Sequence, residues 1–284
     1  MIAVALALLG AVSYGVSDFI GGLASRRTSV WPVAFLACTG GFLCALLLAS
    51  AVPGNPRPQD FAWGFVSGLG SGAGVAFLYR GLAGGRMGVV APVSGVGATA
   101  LPVLIGVLGG ERPAVLVWCG MLAALPGIWL VSREESREEA DAMVDPRAGG
   151  SGLLDGVLAG VGFGLMFATL GQVPASAGYW PFAANQLASV LSVTAACLLL
   201  GGSPVPRSAT PWWGLLSGVL AAAAGLGFLL ATHRGLLSVS AVLVSLYPAF
   251  TVLLAAFVLR ERIHGVQASG LALCGLAVVL VAAG

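Results

Sequence analysis

Few side chains in this chain can titrate or hydrogen bond within a long apolar run, so those few carry the chemistry. Asp18 is the only acid deep within such a run, about 24 Å along a helix that starts at Ile2, toward the Arg26-Arg27 end. A carboxylate placed there binds a proton or attracts a cation; the alternative is a side chain reaching the nearby Arg pair or bonding within the helix bundle. Tyr14, Tyr79, Asn185, Gln186 and Tyr247 complete the candidate set for substrate binding or coupling. A phenol or an amide inside a span either lines a polar cavity or ties two helices together.

The other reactive residue types have simpler readings. His233 and His264 fall at loop edges, where a solvated imidazole is the default. Glu111-Arg112 and Glu261-Arg262 fall at tight turns, where helix capping and turn closure account for them. Cys38, Cys44, Cys119, Cys197 and Cys274 are odd in number, sit in apolar segments and have no metal spacing, so they read as small buried hydrophobes. Gly68-Leu69-Gly70-Ser71-Gly72 lies in an apolar helix with no preceding strand and no Lys, which removes the nucleotide-loop and nucleophile readings. No catalytic residue, metal site or cofactor is expected.

The elements that must position these groups follow from composition. The chain is 58% hydrophobic and 8% charged, against roughly 25% charged for a soluble domain. Its 43 Gly suit membrane helices, and its net charge of +2 argues against nucleic acid as a partner. Ten segments are long and apolar enough to span a bilayer: about 2–22, 30–52, 61–80, 88–109, 114–132, 153–173, 180–201, 212–232, 237–259 and 265–283. The first lacks a basic leader and matches a segment of the second half, so it reads as a retained helix rather than a signal peptide. Trp31, Trp63, Trp180, Trp212 and Trp213 stand at span ends as interfacial anchors. One sizeable polar segment, 133–151, reads as a solvated linker.

The linker separates two copies of one unit. Trp63 to Val131 reads again, without insertion, as Trp213 to Val281, an offset of 150. The anchors are Trp63-Gly64-x-x-Ser67-Gly68 on Trp213-Gly214-x-x-Ser217-Gly218, Gly85 on Gly235, and Glu111-Arg112 on Glu261-Arg262. Five spans per copy is an odd number, so the second copy enters the membrane from the opposite side. The expected fold is therefore all-α and integral to the membrane: ten transmembrane helices as two inverted five-helix repeats, 1–132 and 152–284. Such repeats hold a central site at their interface and open it to each side in turn. Carried to the first helix, the offset sets Asp18 against Ala168; Tyr79 faces Leu229 and Gly97 faces Tyr247, so the scaffold is duplicated but the site is asymmetric. The Gly pairs 68/72 and 70/74 and the series 156/160/164 read as close-packing positions.

The paired Glu-Arg turns, each closing a fourth span before a Gly-bearing fifth, resemble the EamA repeat of the drug/metabolite transporter superfamily. The second copy is most similar, through Tyr247-Pro248-Ala249-Phe250-Thr251 and Leu259-Arg260-Glu261-Arg262. In the first copy Ala98 replaces Pro248, and Pro102 follows one helical turn later on the same face. The resemblance implies a ten-helix carrier or exporter of small metabolites in the plasma membrane, with both termini in the cytoplasm. The Arg distribution gives the opposite orientation. Loops on the linker side hold Arg26, Arg27, Arg80, Arg86, Arg133, Arg137, Arg147, Arg207, Arg260 and Arg262; the other side holds Arg57, Arg112 and Arg234. The positive-inside rule then sets the termini outside. The expected partners are a small-molecule substrate and the lipid bilayer; one fused chain suffices as a monomer, and a dimer is compatible with it. The competing class, an intramembrane enzyme or lipid-handling protein, needs convergent acid, His or Ser groups at membrane depth; Asp18 is the one deep acid, with no His near a span centre and no paired carboxylates.

Overall fold

In the computed structural model the described residues are 1–25, 27–83, 87–132 and 151–284, without the side chains of 79, 81–83, 87–89, 91, 151 and 152. Gly85, Arg26, Arg86, the 133–150 part of the linker and the side chain of Tyr79 therefore lie outside the described residues. All regular structure among the described residues is helical. The first half comprises α1 (Ile2–Ser25), α2 (Val30–Ala51), α3 (Pro58–Ala83), α4 (Met87–Leu108) and α5 (Val115–Ser132). The second comprises α6 (Ser151–Leu170), α7 (Trp180–Leu199), α8 (Trp213–Thr232), α9 (Leu237–Val244), α10 (Tyr247–Val258) and α11 (Gly265–Ala283). Among the described residues nine spans are long and apolar enough to cross a membrane, α9 and α10 together forming one of them, and α4 adds a further helix with a shorter apolar stretch, Pro92–Leu108.

The two halves interleave. Eight spans form a ring in the order α1, α8, α2, α7, α3, α6, α4 and α9–α10, which closes back on α1. Each neighbouring pair around this ring joins one half to the other. The remaining helices, α5 and α11, pack together outside it, against α4 and α10. Exchanging α1 with α6, α2 with α7, α3 with α8, α4 with α9–α10, and α5 with α11 maps this set of neighbours onto itself. The duplication is thus a pseudo-twofold structure in which each half buries its apolar faces chiefly against the other.

Small residues make these crossings close. Gly68 and Gly72 face Asn185 and Ser192 of α7, while Gly70 and Gly74 face Gly162 and Phe163 of α6, so α3 is gripped on two faces by two Gly pairs. Gly97 and Gly160 meet backbone to backbone: a Cβ on either would stand 2.8–2.9 Å from the other's Cα. Hydroxyls then tie the crossings. The Ser67 hydroxyl donates to the Met166 carbonyl at 2.9 Å, and the Ser217 hydroxyl donates to the Ser17 carbonyl at 3.0 Å.

These twin bonds correct the register expected for α1. Ser67 and Ser217 differ by 150, but their acceptors, Ser17 and Met166, differ by 149. A second pair agrees: a Cβ on Gly15 would lie 3.0 Å from the Tyr247 carbonyl, and one on Gly164 3.0 Å from the Gly97 carbonyl. One residue of difference in the α1–α2 region, where apolar residues match at either spacing, hides this shift from sequence comparison. The counterpart of Asp18 is therefore Phe167, not Ala168.

The ninth span also departs from a single continuous helix. It breaks at Ser245-Leu246, and α10 restarts with Pro248 in its first turn. Proline has no N–H for the carbonyl four residues earlier, Val244, and its ring clashes there, so α9 stops at Val244. Ala98 occupies this place in the first half, and α4 runs unbroken through it and through Pro102.

The helix directions define two sides. Ser132 and Ser151 end on the linker side; Ile2 and Ala283 end on the termini side. On the linker side Arg80 lies 4.8 Å over the Phe77 ring and pairs with the buried Asp155 of α6. Asp155 is a second acid within a span, satisfied by its partner.

Candidate functional site

A cavity of ≈ 350 Å³ lies between α1, α4 and α10 and opens on the linker side between the ends of α3 and α5 and the start of α11. That volume is in the range of about 300–1,000 Å³ typical of small-molecule sites. Asp18, Ser94, Tyr247 and Thr251 supply polar groups to it, and Phe19, Leu78 and Val252 supply apolar wall. Ser132, Glu261, Arg262 and Gln267 stand toward the mouth. Asp18 is in the interior of α1, yet its side chain is exposed, because it faces this space.

An aromatic floor closes the inner end. Tyr14 is one helical turn from Asp18 on the same face of α1. Its ring centre lies 6.0 Å from that of Tyr247 and 6.4 Å, edge-on, from that of Phe167. Phe167 in turn lies 4.9 Å from Phe228, which is fully buried. The pseudo-twofold counterpart of the acid is thus part of the seal below it. The Thr251 hydroxyl, one turn beyond Tyr247, lies 3.2 Å from the Tyr247 carbonyl and 3.3 Å from the Gly15 carbonyl, locking α10 to α1 at this depth.

Beyond the floor, the termini side is tied shut across the halves. The Asn55 N–H donates to the Ser176 carbonyl at 2.9 Å, joining the α2–α3 and α6–α7 loops. Within the second half, His233 Nε2 lies 2.8 Å from the Val173 carbonyl. The Glu111 carboxylate accepts the N–H groups of Leu237 and, at 3.1 Å, Ser238, the first turn of α9. The capping expected of Glu111 is present, but the helix it caps belongs to the other half. His233 likewise holds a defined partner rather than the solvated place expected of it.

The sequence-derived candidates divide by place. Asp18 and Tyr247 line the cavity and Tyr14 packs beneath it. Asn185 is buried on α7 against Gly68 of α3, and its Oδ1 has no partner among the described residues. Gln186 points its amide at Gly41 of α2. Both lie at helix crossings and not among the described cavity-lining residues. Ser94, Thr251 and Gln267 were not singled out from sequence. Thr251 had a signal, its place one turn after Tyr247; Ser94 and Gln267 had none. Gln267 also accepts the His264 N–H at 3.3 Å in a capping box at the start of α11.

Among the described residues no group of three or more His, Cys, Asp or Glu forms a metal site, and the five cysteines are free thiols. The cavity offers one acid at depth, hydroxyls and an apolar wall; its described lining contains no His.

Comparison with known proteins agrees with this architecture. No curated protein matches the sequence. One protein of known crystal structure superposes with a TM-score of 0.71 at 17% identity, covering 99% of this chain and 98% of its own, a likeness that speaks for the fold. The model of the EamA-like transporter family matches residues 1–133 and again 150–283, the two halves that the helices define. With both halves matched, this multi-pass membrane chain belongs to the EamA-like transporter family, a family of transporters rather than enzymes.

Proposed function

We propose that the protein is a secondary carrier that exports small organic solutes across the plasma membrane by alternating access, with Asp18 as its proton-binding group. The observation that carries this reading is a carboxylate exposed at the inner end of a cavity open on one side and sealed on the other. Family membership supplies transport, and the pseudo-twofold ring supplies two equivalent ways to open. An ionised carboxylate resists leaving water, so Asp18 crosses between states when a proton or a cationic group of the cargo neutralises it. Tyr247, Thr251 and Ser94 supply hydrogen-bonding groups to the cargo beside it, and Tyr14 and Tyr247 form the floor that must part. Tyr79 remains a candidate contact; Asn185 and Gln186 are better explained as ties between α7 and its neighbours. One chain encloses the whole cavity, which favours a monomeric working unit.

Flux of a broad solute panel in proteoliposomes, with and without an imposed pH difference, tests this reading. Gradient-driven flux of at least one class of solute is expected. Folded, reconstituted protein that moves none of them overturns it.

A further inference from the structure

The turn after α4 is built so that Glu111 reaches across the halves. Gly110 adopts a φ of 99°, in the region that favours glycine. The Gly110 N–H bonds the Val107 carbonyl at 3.1 Å and the Glu111 N–H bonds the Gly106 carbonyl at 3.0 Å, a Schellman closure that fixes Glu111 immediately after the helix. From there its carboxylate folds back over Gly106, where a Cβ would collide with Oε2. It then accepts two of the N–H groups that the first turn of α9 leaves without helical partners. No side chain of the segment before α9 caps it, since Leu236 holds the N-cap position. The N-terminus of α9 on the sealed side therefore depends on a carboxylate from the opposite half.

The corresponding turn in the second half is different. Ala256 stands at the counterpart of Gly106, so its Cβ fills the space equivalent to the one into which Glu111 folds in the first half. Arg260, with a φ of 57°, stands at the counterpart of Gly110. The Glu261 N–H reaches the Ala255 carbonyl at 3.4 Å rather than reproducing the first-half closure, and Glu261 lies exposed at the cavity mouth. The Glu-Arg pairs repeat in sequence, but the clearance that glycine gives at 106 is matched by Ala at 256.

We propose that Glu111 is a positioning residue of the transport cycle: its carboxylate latches α9 to the end of α4 and biases the resting carrier toward the state closed on the termini side. This rests on the alternating-access reading, and release of the latch is the local event that lets the termini side open. Loss of two hydrogen bonds to a charged acceptor shifts the population by on the order of tenfold or more.

The test is a distance measurement between spin labels at Val115 and Arg234, both exposed and on either side of the latch, in the full chain in lipid nanodiscs with the native cysteines replaced. Wild type is expected to give one short distance. Glu111→Gln and Glu111→Ala should populate a longer one. Gly106→Ala, which keeps the carboxylate and only crowds its pose, should move the population the same way by a smaller factor. The wild-type distribution in all three variants overturns the proposal. So does unfolding of the Glu111 variants together with a wild-type distribution in Gly106→Ala. The measurement needs no cargo, so absence of flux alongside a shifted distance refutes the carrier reading and leaves the latch standing.

Discussion

Asp18→Asn is the sharpest probe of the cavity, because it removes a charge and a proton site while keeping the side chain's size. In this structure the carboxylate faces open space toward the linker side. To face the other side, the floor of Tyr14, Tyr247, Phe167 and Phe228 must part and the cavity mouth must close, so the carboxylate passes through a stage without bulk water. An ionised carboxylate held within a span costs about 2.5–3.5 kcal/mol on insertion scales. At about 1.36 kcal/mol per decade, that slows the empty, ionised carrier by on the order of a hundredfold relative to the neutral one. On the proposed reading the empty wild-type carrier returns protonated, and its return is expected to slow as rising pH ionises Asp18. The Asn variant is neutral at every pH and carries no proton. Its empty return is free, so solute exchange between the two sides should persist within a few-fold and lose its pH dependence. Accumulation driven by an imposed pH difference should fall to the passive level. Counterflow and pH-jump uptake in the same proteoliposomes read both quantities. An Asn variant that still concentrates solute against its gradient when pH is the only driving force refutes the reasoning.

Two further outcomes test the scaffold. Gly97→Ala inserts a methyl 2.8 Å from the Gly160 Cα and should lower stability by about 1–3 kcal/mol, read as a lower melting temperature in detergent; Gly275→Ala, with nothing within 4 Å, should be near neutral. Reporter fusions after Ser132 and at the C-terminus decide between the Arg distribution, which sets the linker side in the cytoplasm, and the family resemblance, which sets the termini there; a linker-side reporter active in the periplasm overturns the Arg-based orientation.

The sequence carried the architecture because a bilayer leaves little freedom: apolar runs of span length must be helices, and an odd count per copy must invert the second. It also carried the packing role of the glycines, since small-x-x-x-small spacing places each pair on one face of its helix. The neighbour order around the ring was not legible. Apolar helices with lipid on one face and protein on the other show no polar stripe to say which partner they meet. For the site, Asp18 and Tyr247 stood out as polar groups in apolar runs, and both face the cavity. Asn185 and Gln186 stood out equally, yet α7 turns them to α3 and α2. Polarity marks a group that needs a partner, and a helix crossing satisfies that need as well as a cavity does. Glu111 was read as a local cap because sequence shows only the turn it follows; its acceptor role 126 residues away depends on the fold.

The one-residue correction in register sharpens what the other open state must look like. The pseudo-twofold operation carries the cavity wall of Asp18, Gly95, Tyr247 and Pro248 onto Phe167, Ser245, Gly97 and Ala98. At the depth of Asp18, the chamber that would open to the termini side therefore has a glycine in place of Tyr247 and no acid, so in the proposed cycle Asp18 serves both sides. A new polar feature at that depth is Ser245, at the break between α9 and α10. Ser245 is 1% exposed, and its hydroxyl has no partner among the described residues. Leaving a buried hydroxyl unpaired costs about 1–3 kcal/mol, a cost relieved when the chamber wets or cargo reaches it. Ser245→Cys reports this directly. A membrane-impermeant thiol reagent should leave it unlabelled from the linker side, and should label it from the termini side only when turnover or loss of the Glu111 latch opens that chamber. Labelling from the linker side in the resting protein would show that the two chambers are not related by the pseudo-twofold axis, and the assignment of Asp18 as the shared acid would fall with it.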